Sequence, residues 1–160
     1  MATVNSDQMA NVLAVPSVAL APCDHHSRLR VAKFSRAWTA AGSGGDIIRL
    51  VQLPAGRVRF IGLLSYVYQN FTEGSQTMDI GWAAYVDLTG TAVIADTDGL
   101  DDGVSTETAG IARMGTVTAI AAVGGMKTFE SQTGVVIVMV SVGVPQIGDY
   151  IYGDIVYVLD

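Results

Sequence analysis

One tetrapeptide, Cys23-Asp24-His25-His26, sets nucleophilic, basic and metal-ligating side chains in a row. It holds the sole cysteine and both histidines of the chain. Adjacent residues rarely converge on one ion, and no second Cys/His pair completes a zinc set. A Ser-His-Asp or Cys-His catalytic arrangement would have to draw on the same four residues. The tetrapeptide therefore reads as a solvated junction between an arm and a domain. The second group is a carboxylate cluster, Asp96-Thr97-Asp98-Gly99-Leu100-Asp101-Asp102-Gly103. If Asp96 opens a calcium loop, Asp98 falls at its third position and Glu107 at its twelfth. Leu100 and Asp101 then stand where an oxygen ligand and a glycine belong, and no helical pattern flanks the run. The favoured reading is a surface loop in which exposed, mutually repelling aspartates form turns, without a functional metal. Gly42-Ser43-Gly44-Gly45 lacks a lysine and precedes a strand pattern, whereas a phosphate loop needs a helix behind its glycines. Trp38, Trp82 and the tyrosines could form a ligand platform, but their strand-like spacing favours core or interface packing. No catalytic, cofactor or metal residue is assigned, and the chain reads as non-enzymatic.

The elements around these residues are set by composition. Of 160 residues, 50% are apolar and 15% charged, with a mean hydropathy of +0.41, so the chain can bury a core. A net charge of −6 and a pI near 4.6 argue against a nucleic-acid partner, which needs a basic face. A single cysteine excludes an intramolecular disulfide framework. No apolar run reaches the ~18 residues of a membrane span. The first ten residues lack Lys and Arg, so a secretory signal is not expected, and Pro22 spoils the lipoprotein-like Leu20-Ala21-Pro22-Cys23.

Residues 1–27 read as an extended arm. Val12, Leu13, Val15, Val18 and Leu20 are strung between residues such as Pro16 and Pro22 that forbid a continuous helix. The arm either binds a neighbouring subunit, which is the favoured reading, or packs on its own domain. From residue 28 the pattern is strand. Leu29–Trp38 alternates over part of its length. Ile47–Leu53 and Arg57–Tyr68, joined by Pro54-Ala55-Gly56, predict a hairpin. Thr77–Val86 follows, then a polar excursion over 87–110. Val117–Val123, Thr128–Glu130, Val135–Val144 and Tyr150–Leu159 complete the strand-like segments, with glycines between them. About eight strands predict an all-β, two-sheet sandwich or jelly roll over 28–160, with at most one or two helical turns, placed within 87–112.

The run Gly45-Asp46-Ile47-Ile48-Arg49-Leu50-Val51-Gln52-Leu53-Pro54-Ala55-Gly56-Arg57-Val58 resembles a family of tailed-bacteriophage structural proteins, usually encoded close to the major capsid protein. Its members follow this run with a small-residue strand, here Asp79-Ile80-Gly81-Trp82. An Asp-rich excursion ends at Thr108-Ala109-Gly110, and a strand at Tyr150–Val158 closes the chain. The resemblance covers roughly residues 28–160. It implies a jelly-roll-like β domain that decorates or cements the outer surface of the capsid, with the major capsid protein as partner. It carries over no catalytic residues.

An acidic subunit suits the outside of a DNA-filled head, since an inner wall would set it against phosphates. The apolar content and the resemblance together predict a homo-oligomer, a trimer in preference to a dimer. The alternatives are a head-fibre, tail or receptor-binding jelly roll, and a carbohydrate-binding module with Trp38 or Trp82 as its stacking platform. A calcium-assisted enzyme using Asp96, Asp98 and Glu107 is the least favoured.

Overall fold

The computed structural model describes residues 28–72, 76–116, 118–121 and 124–160. The arm residues Val12, Leu13, Val15, Val18 and Leu20 and the Cys23–His26 tetrapeptide lie outside them. Twelve strands run in the order β1 (Arg30–Ala37), β2 (Ile47–Leu53), β3 (Gly56–Ile61), β4 (Tyr66–Gln69), β5 (Thr77–Trp82) and β6 (Tyr85–Val86). They continue as β7 (Ala92–Val93), β8 (Asp96–Ser105), β9 (Gly110–Arg113), β10 (Met126–Ser131), β11 (Val135–Ser141) and β12 (Tyr150–Leu159). A 3-10 turn (Gly62–Leu64) and one helical turn, α1 (Thr118–Ala121), complete the described elements.

β6 and β7 pair only with each other, and the other ten strands form two four-row sheets. β1 pairs with β12 from Tyr150 to Tyr157, so β3 and β4, which pair with β12 at 157–159 and 151–154, share its other side. β3 and β4 are thus one row interrupted by the 3-10 turn, with β10 and β9 forming the row beyond. The other sheet runs β2-β11-β5-β8. Numbering the rows along the chain gives 1-8-3-6 and 2-7-4-5, the nested Greek-key order of a jelly roll. The all-β jelly-roll reading holds.

The sheets meet over one core. Leu53, Val58, Phe60, Val67, Met78, Ile80, Leu100, Phe129, Ile137, Met139, Ile151 and Ile155 belong to it, each almost fully enclosed. Strand alternation produces this: in β12, Ile151 and Ile155 point inward while Tyr150, Tyr152 and Asp154 point outward. Where the 3-10 turn breaks the β3/β4 row, the Ser65 hydroxyl repairs the ladder. It accepts from the Val156 N–H at 2.9 Å and donates to the Ile61 carbonyl at 2.9 Å.

Three sequence expectations are corrected. The predicted hairpin does not form: β2 pairs with β11, while β3 pairs with β10 and β12 in the opposite sheet. Pro54 and Gly56 (φ +104) carry the chain over the end of the sandwich, and Leu53 and Val58 meet the core from its two sides. Within the stretch 117–123, expected as a strand, the described residues Thr118–Ala121 form a helical turn. Positive-φ Gly115, Gly124 and Gly125 bracket it, and Gly125 N–H closes it on the Ile120 carbonyl. Finally, Asp96–Ser105 is strand β8, anchored by fully buried Leu100, and not a surface loop.

Candidate functional site

The chain's charges are sorted between the two flanks of the sandwich. β1 and β2 are the outermost strands at one flank, and β8 lies at the other. Arg30, Lys33 and Arg36 lie on β1, Arg28 stands two residues before it, and Arg49 lies on β2, so five of nine Lys and Arg residues sit on one side. β1 makes eight consecutive pairs with β12 and no ladder with another described strand. A regular strand with one unpaired side presents backbone donors and acceptors to any partner. Arg30, Val31 and Lys33 are exposed there, as is Ile47 at the start of β2.

Between β1 and β2 the sandwich opens into a cavity of about 390 Å³ lined by Phe34, Arg36, Trp38, Asp46, Ile48 and Leu50, among others. Trp38 forms its inner wall: it is 4% exposed, packs edge-on against Phe71 at 5.5 Å, and lies 5.2 Å from the Arg36 guanidinium. Its backbone is clamped to the turn before β12, by Trp38 N–H to the Asp149 carbonyl and Gly148 N–H to the Trp38 carbonyl. That turn is built by the buried Asp149 carboxylate, which accepts from Thr72 N–H, the Thr72 hydroxyl and Gln146 N–H. Asp46 accepts from Ser43 N–H and closes the glycine-rich turn, so Gly42–Gly45 is a turn leading into β2 and no helix follows.

The opposite flank is acidic. The Asp96 and Asp98 carboxyls share a hydrogen bond, which together with burial raises the Asp96 pKa. Asp101 corrects the expectation that all four aspartates are exposed. It is 2% exposed, accepts from the Thr116 hydroxyl, and burial pushes its pKa up. Glu107 is not brought to Asp96 and Asp98, and among the described residues no three His, Cys, Asp or Glu side chains converge on a metal position.

The outer face of the β1-β12-β4-β9 sheet is aromatic. Register places Tyr66 and Tyr68 beside Asp154 and Tyr152, with Arg113 and Ile111 on the far side. Tyr68, Tyr150 and Tyr152 stack with centroids 4.8–6.2 Å apart and planes within 20°. Trp38 and Trp82 take no part in this surface: both are core residues, as their strand-like spacing favoured. The paired Tyr-x-Tyr spacings at 66/68 and 150/152 were the sequence signal for this face.

No family model matches the chain, and no curated protein does. Solved structures do. A chain from the capsid of Ralstonia phage GP4 superposes with a TM-score of 0.59 at 20% identity, covering 83% of this chain and 85% of that one. A chain from the cyanophage Pam1 capsid gives 0.59 at 14% identity, over 100% of both. A T=1 particle of infectious bursal disease virus gives 0.51 at 11%, and there this chain spans only 32% of the matched chain. The fold is one found in phage capsids. Both phage capsid chains are matched along most or all of their length, so they are jelly rolls of about this size.

Proposed function

We propose that this chain is a non-enzymatic structural protein of a bacteriophage head that decorates the outer surface of the capsid and cements the major capsid protein lattice. The observation that carries the proposal is the end-to-end jelly-roll likeness to the cyanophage Pam1 capsid chain. The sorted flanks support it. An acidic domain faces solvent outside the DNA-filled shell, while its one cationic, strand-regular edge is where residues 1–27 join the domain. The arm is the attachment device: Val12, Leu13, Val15, Val18 and Leu20 enter pockets or a sheet edge on a neighbouring subunit. Each buried anchor contributes ~1.5–3 kcal/mol. Ordering costs on the order of 1–2 kcal/mol per residue, so several anchors must act together. Repetition around a symmetric lattice, with the protein itself a trimer, adds avidity.

The test is attachment to capsids stripped of the protein. Deleting residues 1–22 leaves the β domain folded by circular dichroism and lowers occupancy at limiting concentration by about tenfold, or roughly 1.4 kcal/mol. Equal occupancy of full-length and truncated protein refutes the arm's role. Failure of both to attach refutes the decoration reading. Hundreds of copies per virion accord with a lattice protein, whereas a dozen or fewer would place it in a tail or fibre.

A further inference from the structure

The tyrosine face has a cleft beside the cationic edge, and Lys33 is the one cation the two share. The cleft is about 420 Å³ and lined by Lys33, Phe34, Ser35, Tyr66, Tyr152, Gly153 and Asp154. Its floor is the β1–β12 pairing, where Ser35 lies opposite Tyr152 and Lys33 opposite Asp154. Tyr152 is the one member of the three-ring stack that lines the cleft, and Tyr68 packs on it at 4.8 Å. The ring that a ligand would meet is therefore held in place before binding, which lowers the ordering cost.

We propose that this cleft binds a neutral saccharide, with the Tyr152 ring as stacking wall and Asp154, Lys33, Ser35 and Tyr66 as the polar contacts. The chemistry of the lining selects that class. The Asp154 carboxylate only accepts, the Lys33 ammonium only donates, and the Ser35 and Tyr66 hydroxyls do both. Vicinal sugar hydroxyls answer all three, while the C–H face of a pyranose packs on an aromatic ring. Asp154 and Lys33 stand 3.5 Å apart, so each fixes the other's position, and the Asp154 side chain is only 23% exposed. An apolar ligand would strip water from that ion pair without replacing its hydrogen bonds. An anion meets Asp154 and a protein of net charge −6, and a cation competes with Lys33. The volume falls at the small end of ligand sites, the size of one or two sugar rings. Tryptophans take no part: the platform is made of tyrosines because alternation in β4 and β12 turns them outward.

The test uses the full chain and four neutral probes, the methyl glycosides of glucose, galactose, mannose and N-acetylglucosamine, at millimolar concentration. Saturation transfer to at least one probe is expected, with amide shifts confined to the Ser35, Tyr66 and Tyr152–Asp154 neighbourhood. Tyr152→Ala and Asp154→Asn each weaken binding by about tenfold. Tyr152→Phe, which keeps the ring, retains most of it, and Lys127→Ala on β10 changes nothing. Absence of transfer to all four probes, or binding that survives Tyr152→Ala, overturns the proposal. The readout is independent of capsid attachment, which Tyr152→Ala leaves intact. If that variant instead loses attachment to stripped capsids, the face is a lattice interface and the saccharide proposal fails while decoration stands.

Discussion

The two flanks of the sandwich solve the same problem, an exposed edge strand, in opposite ways. At β8 the edge is sealed by irregularity. The β5–β8 register slips twice, and the Leu100 carbonyl is taken by Gly115 N–H. The strands approach so closely that a Cβ on Gly81 would lie 1.9 Å from the Asp96 carbonyl oxygen. Trp82 is wedged over Gly99 and capped by the Lys127 ammonium at 4.6 Å. At β1 the ladder is regular for eight residues and the neighbouring cavity is open. The cations on that edge repel a second copy of the same edge and admit a partner of opposite charge. One flank is closed by packing; the other is filtered by charge.

If the acidic flank is closed by packing, the smallest added atom there has the largest effect. Gly81→Ala puts a methyl group against backbone of β8, which no side-chain rotation can relieve. The expected loss is on the order of 4 kcal/mol or more, enough to unfold a marginal domain. Denaturant unfolding of the variant measures it. A loss under about 1 kcal/mol would show that β8 drifts freely and that the flank is not sealed.

A smaller effect is expected one strand-turn further on, where Thr116 holds Asp101. Thr116→Val removes a hydroxyl donor from a buried carboxylate at an expected cost of about 1–3 kcal/mol. The pH dependence has a definite sign. Burial raises the Asp101 pKa above its unfolded value, so the native state binds this proton more readily than the unfolded chain. Its contribution to stability is fully present below the unfolded pKa and is lost as pH rises through the folded one. Asp101→Asn keeps an acceptor for Thr116 and removes that loss. It is therefore more stable than the parent at pH 7, with the difference shrinking on acidification. Thermal melts at pH 7 and near pH 4 check both variants.

The contrast between flanks was only half legible in the sequence. Strands whose residue types alternate, over part of Arg30–Ala37 and along Tyr150–Leu159, were read from the sequence because one face meets the core. So was the jelly-roll class. β8 was hidden because an edge strand buries little: its ten residues hold four aspartates, and only Leu100 and Asp101 are buried. The false hairpin arose because a Pro-Ala-Gly link looks the same whether it joins two strands of one sheet or carries the chain between sheets. The decision lies with β11, whose Val135 and Ile137 face the core beside Leu53 and Val51, more than eighty residues away in the chain. Arg28, Arg30, Lys33 and Arg36 stand close together in the sequence, but nothing marked them as a flank, because that meaning depends on β1 being an edge, a property of the assembled sheet.

The filtered flank makes the last and, for stability, the smallest prediction. Arg30→Glu with Lys33→Glu reverses the charge of the free edge while leaving the β12 ladder in place. Within the described residues the one ion pair lost is Lys33–Asp154 at 3.5 Å, and the Lys33 side chain is 81% exposed. Exposed pairs contribute ~0.2–1 kcal/mol, and the new glutamate sets a like charge beside Asp154, so unfolding should shift by no more than about 1 kcal/mol. Attachment is the sensitive readout. If the edge selects an acidic partner, the double variant loses occupancy on stripped capsids, and the parent's own occupancy falls as salt rises from low to physiological strength. The variant should have lost that salt dependence. Parent-like occupancy and salt response would mean that the cations only keep the edge from pairing. The flank would then be guarded in the same sense as β8, by charge instead of packing, and the lattice contact would rest on residues 1–27 alone.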